Sequence, residues 1–124
     1  MKLSPHFTLE EMTKTNFPAL QEEPTVQEVV NLTYLCATVL EPLREKVGKP
    51  LKINSGFRSK RLNAKVGGVP NSYHLRGLAA DIHCSSFDEA KRLEQVAVNL
   101  FGNRAKAIIE HRNTYWLHIQ TKLG

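Results

Sequence analysis

Cysteine is scarce in this chain: Cys36 and Cys84 are the only two among 124 residues, and no Cys-x-x-Cys pair occurs. The missing pair excludes the usual thiolate metal and dithiol redox motifs. Both cysteines sit within apolar patterns. They are therefore expected to be buried free thiols and not a disulfide, cysteine being among the most buried residue types. Long hydrophobic runs are missing too, and nothing approaches the roughly 20 apolar residues that span a bilayer. Behind Lys2 the segment Met1 to His6 carries no apolar stretch, so no secretory signal is visible. Internal repeats and low-complexity segments are absent as well. The basic residues are scattered and form no stripe with aromatics, so no nucleic-acid partner is expected.

What is present is ordinary for a folded domain. A length of 124 residues suits one domain with one core, here residues 1–124. Apolar content of 41% and charged content of 23% fit a globular protein. The 17 Lys and Arg against 12 Asp and Glu leave a net charge of +5. That charge serves solubility, or it attracts an anionic polymer.

Helix-start signals recur along the chain. Thr8 with Glu11 forms a capping-box pattern and predicts a short helix over Leu9 to Thr15. Thr25 with Glu28 repeats the pattern and opens the longest helix. Val26, Val29, Val30, Leu32, Leu35, Cys36, Val39, Leu40 and Leu43 follow its inward face at helical spacing. Pro42 is expected to kink or break that helix near Glu41, and Gly48 to end it. Leu51 to Asn54 reads as a strand, and Ser59 as the cap of a short helix through Lys65. A third pattern, Ser86 with Glu89, starts a helix through about Phe101, with Phe87, Ala90, Leu93, Val96, Ala97, Leu100 and Phe101 inward. Ala105 to Glu110 and Tyr115 to Gln120 form a hairpin. The fold class is α+β: a small antiparallel sheet packed against helices.

The chemistry concentrates in Ser72-Tyr73-His74-Leu75-Arg76-Gly77-Leu78-Ala79-Ala80-Asp81. On one continuous helix His74 and Asp81 would lie roughly 10 Å apart, too far for metal bonds near 2 Å. The segment must fold back, and Gly77 is where a tight turn is cheapest. Beyond it, Leu78 to Cys84 reads as a buried strand with Asp81 facing the same side as Ala79 and His83. His83 is then either a partner to the metal ligands or a polar strand-end residue. His118 lies on the strand Tyr115 to Gln120. Two histidines and one aspartate make a set suited to one catalytic zinc with a fourth position open to water.

These residues resemble the M15 zinc peptidases, the D-alanyl-D-alanine carboxypeptidase family. Ser72, His74, Gly77, Ala79 and Asp81 match its Ser-x-His-x-x-Gly-x-Ala-x-Asp motif. Ile53 to Ser59, Leu62-Asn63 and Val66-Gly67-Gly68 look like its Ser-Gly-Tyr-Arg-Ser block. Phe7-Thr8-Leu9-Glu10-Glu11 resembles the short phage- and mobile-element-associated branch. The resemblance implies a Hedgehog/DD-peptidase-like fold and a zinc metallopeptidase acting on peptidoglycan peptides beside a D-amino acid. It also implies that Arg58 holds substrate and that Ser72 orients the loop or a substrate group. On this reading the protein is a monomer that does not span the membrane. It is made in the cytoplasm and acts on cell wall after release or delivery. Many family members carry an acidic residue or histidine two or three places before the last ligand, where this chain has Trp116 and Tyr115. That departure keeps a non-catalytic, zinc-stabilised binding module as the competing reading.

It also leaves Glu110 and His111 as candidate general bases. A three-residue loop, Arg112-Asn113-Thr114, pairs Glu110 with Trp116 and Ile108 with His118, turning Glu110 to the metal face. A two-residue Arg112-Asn113 turn brings His111 inward instead. Two-residue hairpin turns favour Asn-Gly and its like, which points to Glu110.

Overall fold

The computed structural model describes residues 1–122. An N-terminal ribbon pairs β1 (Lys2–Ser4) with β2 (Phe7–Thr8); nothing in the sequence pattern of so short a segment announced it. Thr8 then caps α1 (Leu9–Thr13), its hydroxyl accepting from the Glu11 amide at 3.1 Å. Thr25 caps α2 (Val26–Leu35) with the full reciprocal box.

Pro42 does not break the helix at Glu41. The chain runs from α2 through a wide π turn, Cys36–Leu40, directly into α3 (Glu41–Val47). In that turn the Glu41 amide donates five residues back to Cys36. Widening the turn ahead of the proline relieves its ring of the clash a tight turn imposes. Gly48 ends α3 in the left-handed region, its amide bonded to the Arg44 carbonyl at 2.9 Å.

The main sheet is antiparallel with strand order β3-β4-β6-β5, formed by Ile53–Ser55, Ala79–Cys84, Thr114–Thr121 and Ala105–Arg112 respectively. α4 (Lys60–Lys65) and α5 (Phe87–Phe101) complete the elements. One sheet face packs on the helices. Ala80, Ile82 and Cys84 from β4 and Leu117 and Ile119 from β6 meet Leu32, Leu35, Leu40 and Leu43, with Ala90, Leu93, Ala97 and Phe101 from α5. Side chains alternate along a strand, so Asp81, Trp116, His118, Gln120, Ile108 and Glu110 are turned to the opposite face.

The helical faces are narrower than the apolar pattern predicts. Val26 and Val30 are exposed, at 83% and 52%, and Phe87 is half exposed. Val26 and Val30 lie in the N-terminal half of α2, and Phe87, the first residue of α5, rests its ring against Tyr115 of β6 with centroids 6.0 Å apart. Cys36 and Cys84 are buried free thiols, as expected. Burial and the nearby Glu11 and Glu41 charges push the Cys36 thiol up to about 12.

Candidate metal centre

His74 stands on a single 3₁₀ turn, Tyr73–Arg76, that hangs between α2 and β4. The Ser72 hydroxyl accepts from the His74 amide at 3.1 Å and so opens the turn. Gly77 closes it at φ +73°, where a Cβ would also press within 2.8 Å of the Glu28 carbonyl on α2. Asn31, buried on α2, donates from Nδ2 to the Arg76 carbonyl at 2.8 Å and ties the turn down. The expected fold-back at Gly77 is therefore present, and it carries His74 to Asp81.

The three donors converge. His74 Nε2 lies 3.2 Å from Asp81 Oδ1, and His118 Nδ1 lies 3.0 Å from the same oxygen. One ligand atom from each residue falls within 4.8 Å of the others. Sheet register brings two of them together, because Asp81 is paired directly with His118 across β4 and β6. Tetrahedral zinc with bonds near 2 Å holds its ligand atoms about 3.3 Å apart, close to the two measured separations.

The outward nitrogens show that the rings are set for a metal. His74 Nδ1 donates to the Gly56 carbonyl at 2.6 Å, and His118 Nε2 donates to Gln120 Oε1 at 2.7 Å. With one proton spent outward, each neutral imidazole offers a lone pair toward Asp81, and it donates a hydrogen bond to that carboxylate when a second proton occupies the inward nitrogen. Such outer partners fix the tautomer and orientation of ligating histidines. Two lone pairs and a carboxylate oxygen facing one point require a cation there, or a proton in its place. Gly56 itself is sterically required, since a Cβ on it would run into the Met12 carbonyl.

Burial alone raises the pKa of the Asp81 carboxyl, but hydrogen bonds from His118 and His74 outweigh it and hold the carboxyl well below its ordinary value. For His118 burial works downward, and the hydrogen bonds to Asp81 and Gln120 reverse it, leaving the imidazole raised above 6.5. Arg58 is clamped beside them. Its Nη2 donates to Asp81 Oδ2 at 3.2 Å, its Nη1 to Asn63 Oδ1 at 3.2 Å and its Nε to Ser55 Oγ at 3.0 Å. Burial lowers the guanidinium's pKa, against the pull of the Asp81 and Glu110 charges.

Arg58, Ser72, His74, Asp81, Glu110 and His118 line one cleft of about 620 Å³, and so does His111, the rival base. The hairpin has the register of the three-residue loop, with Glu110 opposite Trp116, Ile108 opposite His118, and Asn113 at the tip with φ +68°. Glu110 stands on the metal face, where its Oε1 accepts from Trp116 Nε1 at 2.8 Å. The His111 ring stacks on Tyr115 with centroids 4.0 Å apart. His83 makes no side-chain hydrogen bond among the described residues and lines neighbouring recesses, as a polar strand-end residue would. Gly56, Gln120, Ser55, Asn63 and Trp116 were not assigned site roles from the sequence, although Ser55, Gly56 and Asn63 fall inside the block that carried the resemblance.

Asp81 and His118 on paired strands and His74 on the turn before them, with a further carboxylate on the same sheet face, form a donor set that could hold one metal ion. A model of the family described as Peptidase M15 matches residues 5–120. The chain belongs to the M15 peptidase family. It is also similar to a zinc D-Ala-D-Ala carboxypeptidase of Streptomyces albus G, at 46% identity over 48 residues. That stretch is 38% of this chain and 19% of the relative, so the chain matches about a fifth of that protein's length.

Proposed function

We infer that this protein is a zinc metallopeptidase that hydrolyses peptidoglycan stem or cross-link peptides beside a D-amino acid. The observation that carries the reading is the convergence of His74 Nε2, His118 Nδ1 and Asp81 Oδ1, with both outer imidazole nitrogens tied off. His74, Asp81 and His118 hold one zinc ion per chain. When bound there, zinc polarises the scissile carbonyl and brings the pKa of a water toward about 7.

The remaining chemistry belongs to the chain. Glu110 has Oε1 engaged by Trp116, which leaves Oε2 to take the proton from the attacking water and pass it to the leaving amine. Asp81 is the only anionic ligand, so the loaded site keeps a net charge near +1 that favours the developing oxyanion. Arg58 holds Asp81 in place through Nη2 and lines the cleft, where its guanidinium charge suits a substrate carbonyl or carboxylate. Ser72 orients the His74 loop through its hydroxyl.

The substrate class is supported by the D-Ala-D-Ala carboxypeptidase activity for which the Streptomyces albus G relative is named and by the net charge of +5, which attracts an anionic polymer. Digestion of purified muropeptides with mass analysis of the products tests the reading. Loss of D-alanine, or a cut cross-link, is expected with zinc present, and chelation should abolish it. Unchanged muropeptides beside zinc-loaded protein would sink the peptidase reading in favour of a binding module.

A further inference from the structure

Positive charge gathers where the metal cleft runs past Gln120. Tyr73 and Gln120 form a shared wall: they line both the cleft and a second recess of about 450 Å³ at the end of the β5–β6 hairpin. Arg104, Lys106 and Lys122 line that recess, and among the described residues no carboxylate does. Register determines where this charge stands. Lys106 pairs directly with Gln120, and Ile108 with His118. Directly paired residues of an antiparallel ladder share a face, so Lys106 lies on the face of Glu110 and the metal ligand. It stands two residues, or about 7 Å along the strand, from the His118 row. Arg104 is already oriented, its Nη2 donating to the Leu100 carbonyl at 2.7 Å. Among the described residues none of the three cations is in an ion pair. The Arg76 guanidinium adds to the field, stacked 4.3 Å from the centroid of the Tyr73 ring in the shared wall.

Cations that make no ion pair among the described residues, joined to a peptide cleft, suit an anion carried by the substrate. An extended peptide advances about 3.3 Å per residue. With the scissile carbonyl over the donor triad, a carboxylate two or three residues away reaches the Lys106 row. We propose that the Arg104–Lys106–Lys122 recess is a substrate subsite for a free carboxylate two or three residues from the bond that is cut. The proposal rests on the peptidase reading above and adds the charge class of its substrate. A stem peptide whose γ-linked glutamate keeps its α-carboxylate offers that group, and one amidated at that position does not.

The test uses two stem pentapeptides that differ only in carboxylate or carboxamide at that glutamate, titrated calorimetrically into zinc-loaded protein while cleavage is followed separately. The wild type is expected to bind the carboxylate form about two- to fivefold more tightly, the size of one exposed ion pair. Lys106→Gln should bring the ratio toward one and Lys106→Glu should invert it. Lys46→Gln, which removes a lysine from a different recess, should leave the ratio as in the wild type. Equal affinities in the wild type, no binding of either peptide, or a Lys46 variant that shifts the ratio as far as Lys106→Gln would each overturn the subsite. Cleavage with equal affinities removes the subsite and leaves the peptidase standing. A charge-dependent ratio without cleavage does the reverse.

Discussion

Glu110 shares the sheet face of His118 and has one oxygen committed to Trp116, while the other makes no hydrogen bond among the described residues. Glu110→Gln keeps the shape and the indole contact but removes the basic oxygen. It should retain zinc and fold yet lose about 10² to 10⁴ in rate, the usual contribution of general acid–base catalysis. Trp116→Phe removes the N–H that orients the carboxylate and should cost about tenfold, in kcat and not KM. His111→Ala should be mild, because that ring stacks on Tyr115. A crippled His111 variant beside a healthy Glu110 one in the same steady-state assay would reverse the assignment. The position of Glu110 on the face of His118 was legible because hairpin parity depends on turn chemistry, and the Arg112-Asn113-Thr114 loop carries an asparagine that tolerates φ +68° at its tip. The partners of the ligands were not legible. Gly56 acts through a backbone carbonyl and Gln120 through a bond to its second neighbour on the strand, and neither role leaves a pattern in the sequence.

Among the elements, the caps at Thr8, Thr25 and Ser86 were readable, whereas Ser59 opens α4 without a side-chain cap, its hydroxyl donating to the Leu20 carbonyl instead. Thr25 and Glu28 cap α2 reciprocally, so Thr25→Ala should lower stability by about 1 kcal/mol, read as a fall in the denaturation midpoint with the slope unchanged. The π turn before Pro42 and the exposure of Val26 and Val30 were not readable. An apolar pattern marks a helix face but not how far its neighbours extend along it. The Gly56 position on the loop after β3 joins the two levels, since its carbonyl holds His74 and its missing Cβ admits the Met12 carbonyl. Gly56→Ala should therefore weaken zinc binding as well as the fold. The expected loss is about 10- to 100-fold in affinity, typical for disturbing an outer partner of a ligand, measured by competition with a chromophoric chelator. Wild-type zinc affinity in a destabilised Gly56→Ala protein would show that the glycine serves packing alone.

Taken as a whole molecule, the domain closes over a charged cluster whose protonation and metal binding oppose each other. In metal-free protein the raised His118 value means that its pairing with Asp81 stabilises the fold fully below pH 6.5, and that this is lost as pH rises through the raised folded value. The lowered Asp81 value contributes stability above 3.8, lost as pH falls toward its folded value. Metal-free protein should thus be most stable between 3.8 and 6.5 on account of this cluster. Zinc requires the imidazoles without their inward protons, so its stabilisation grows as pH rises. A zinc concentration about 1,000 times the dissociation constant adds roughly 4 kcal/mol. Thermal unfolding between about pH 5.5 and 8, with zinc or with chelator, should show the two melting curves moving apart as pH rises, because chelated protein loses its His118–Asp81 contribution while loaded protein gains metal affinity. A gap that stays constant across that window would mean that His118 carries no proton in the metal-free fold. A gap that narrows would place the metal on other residues.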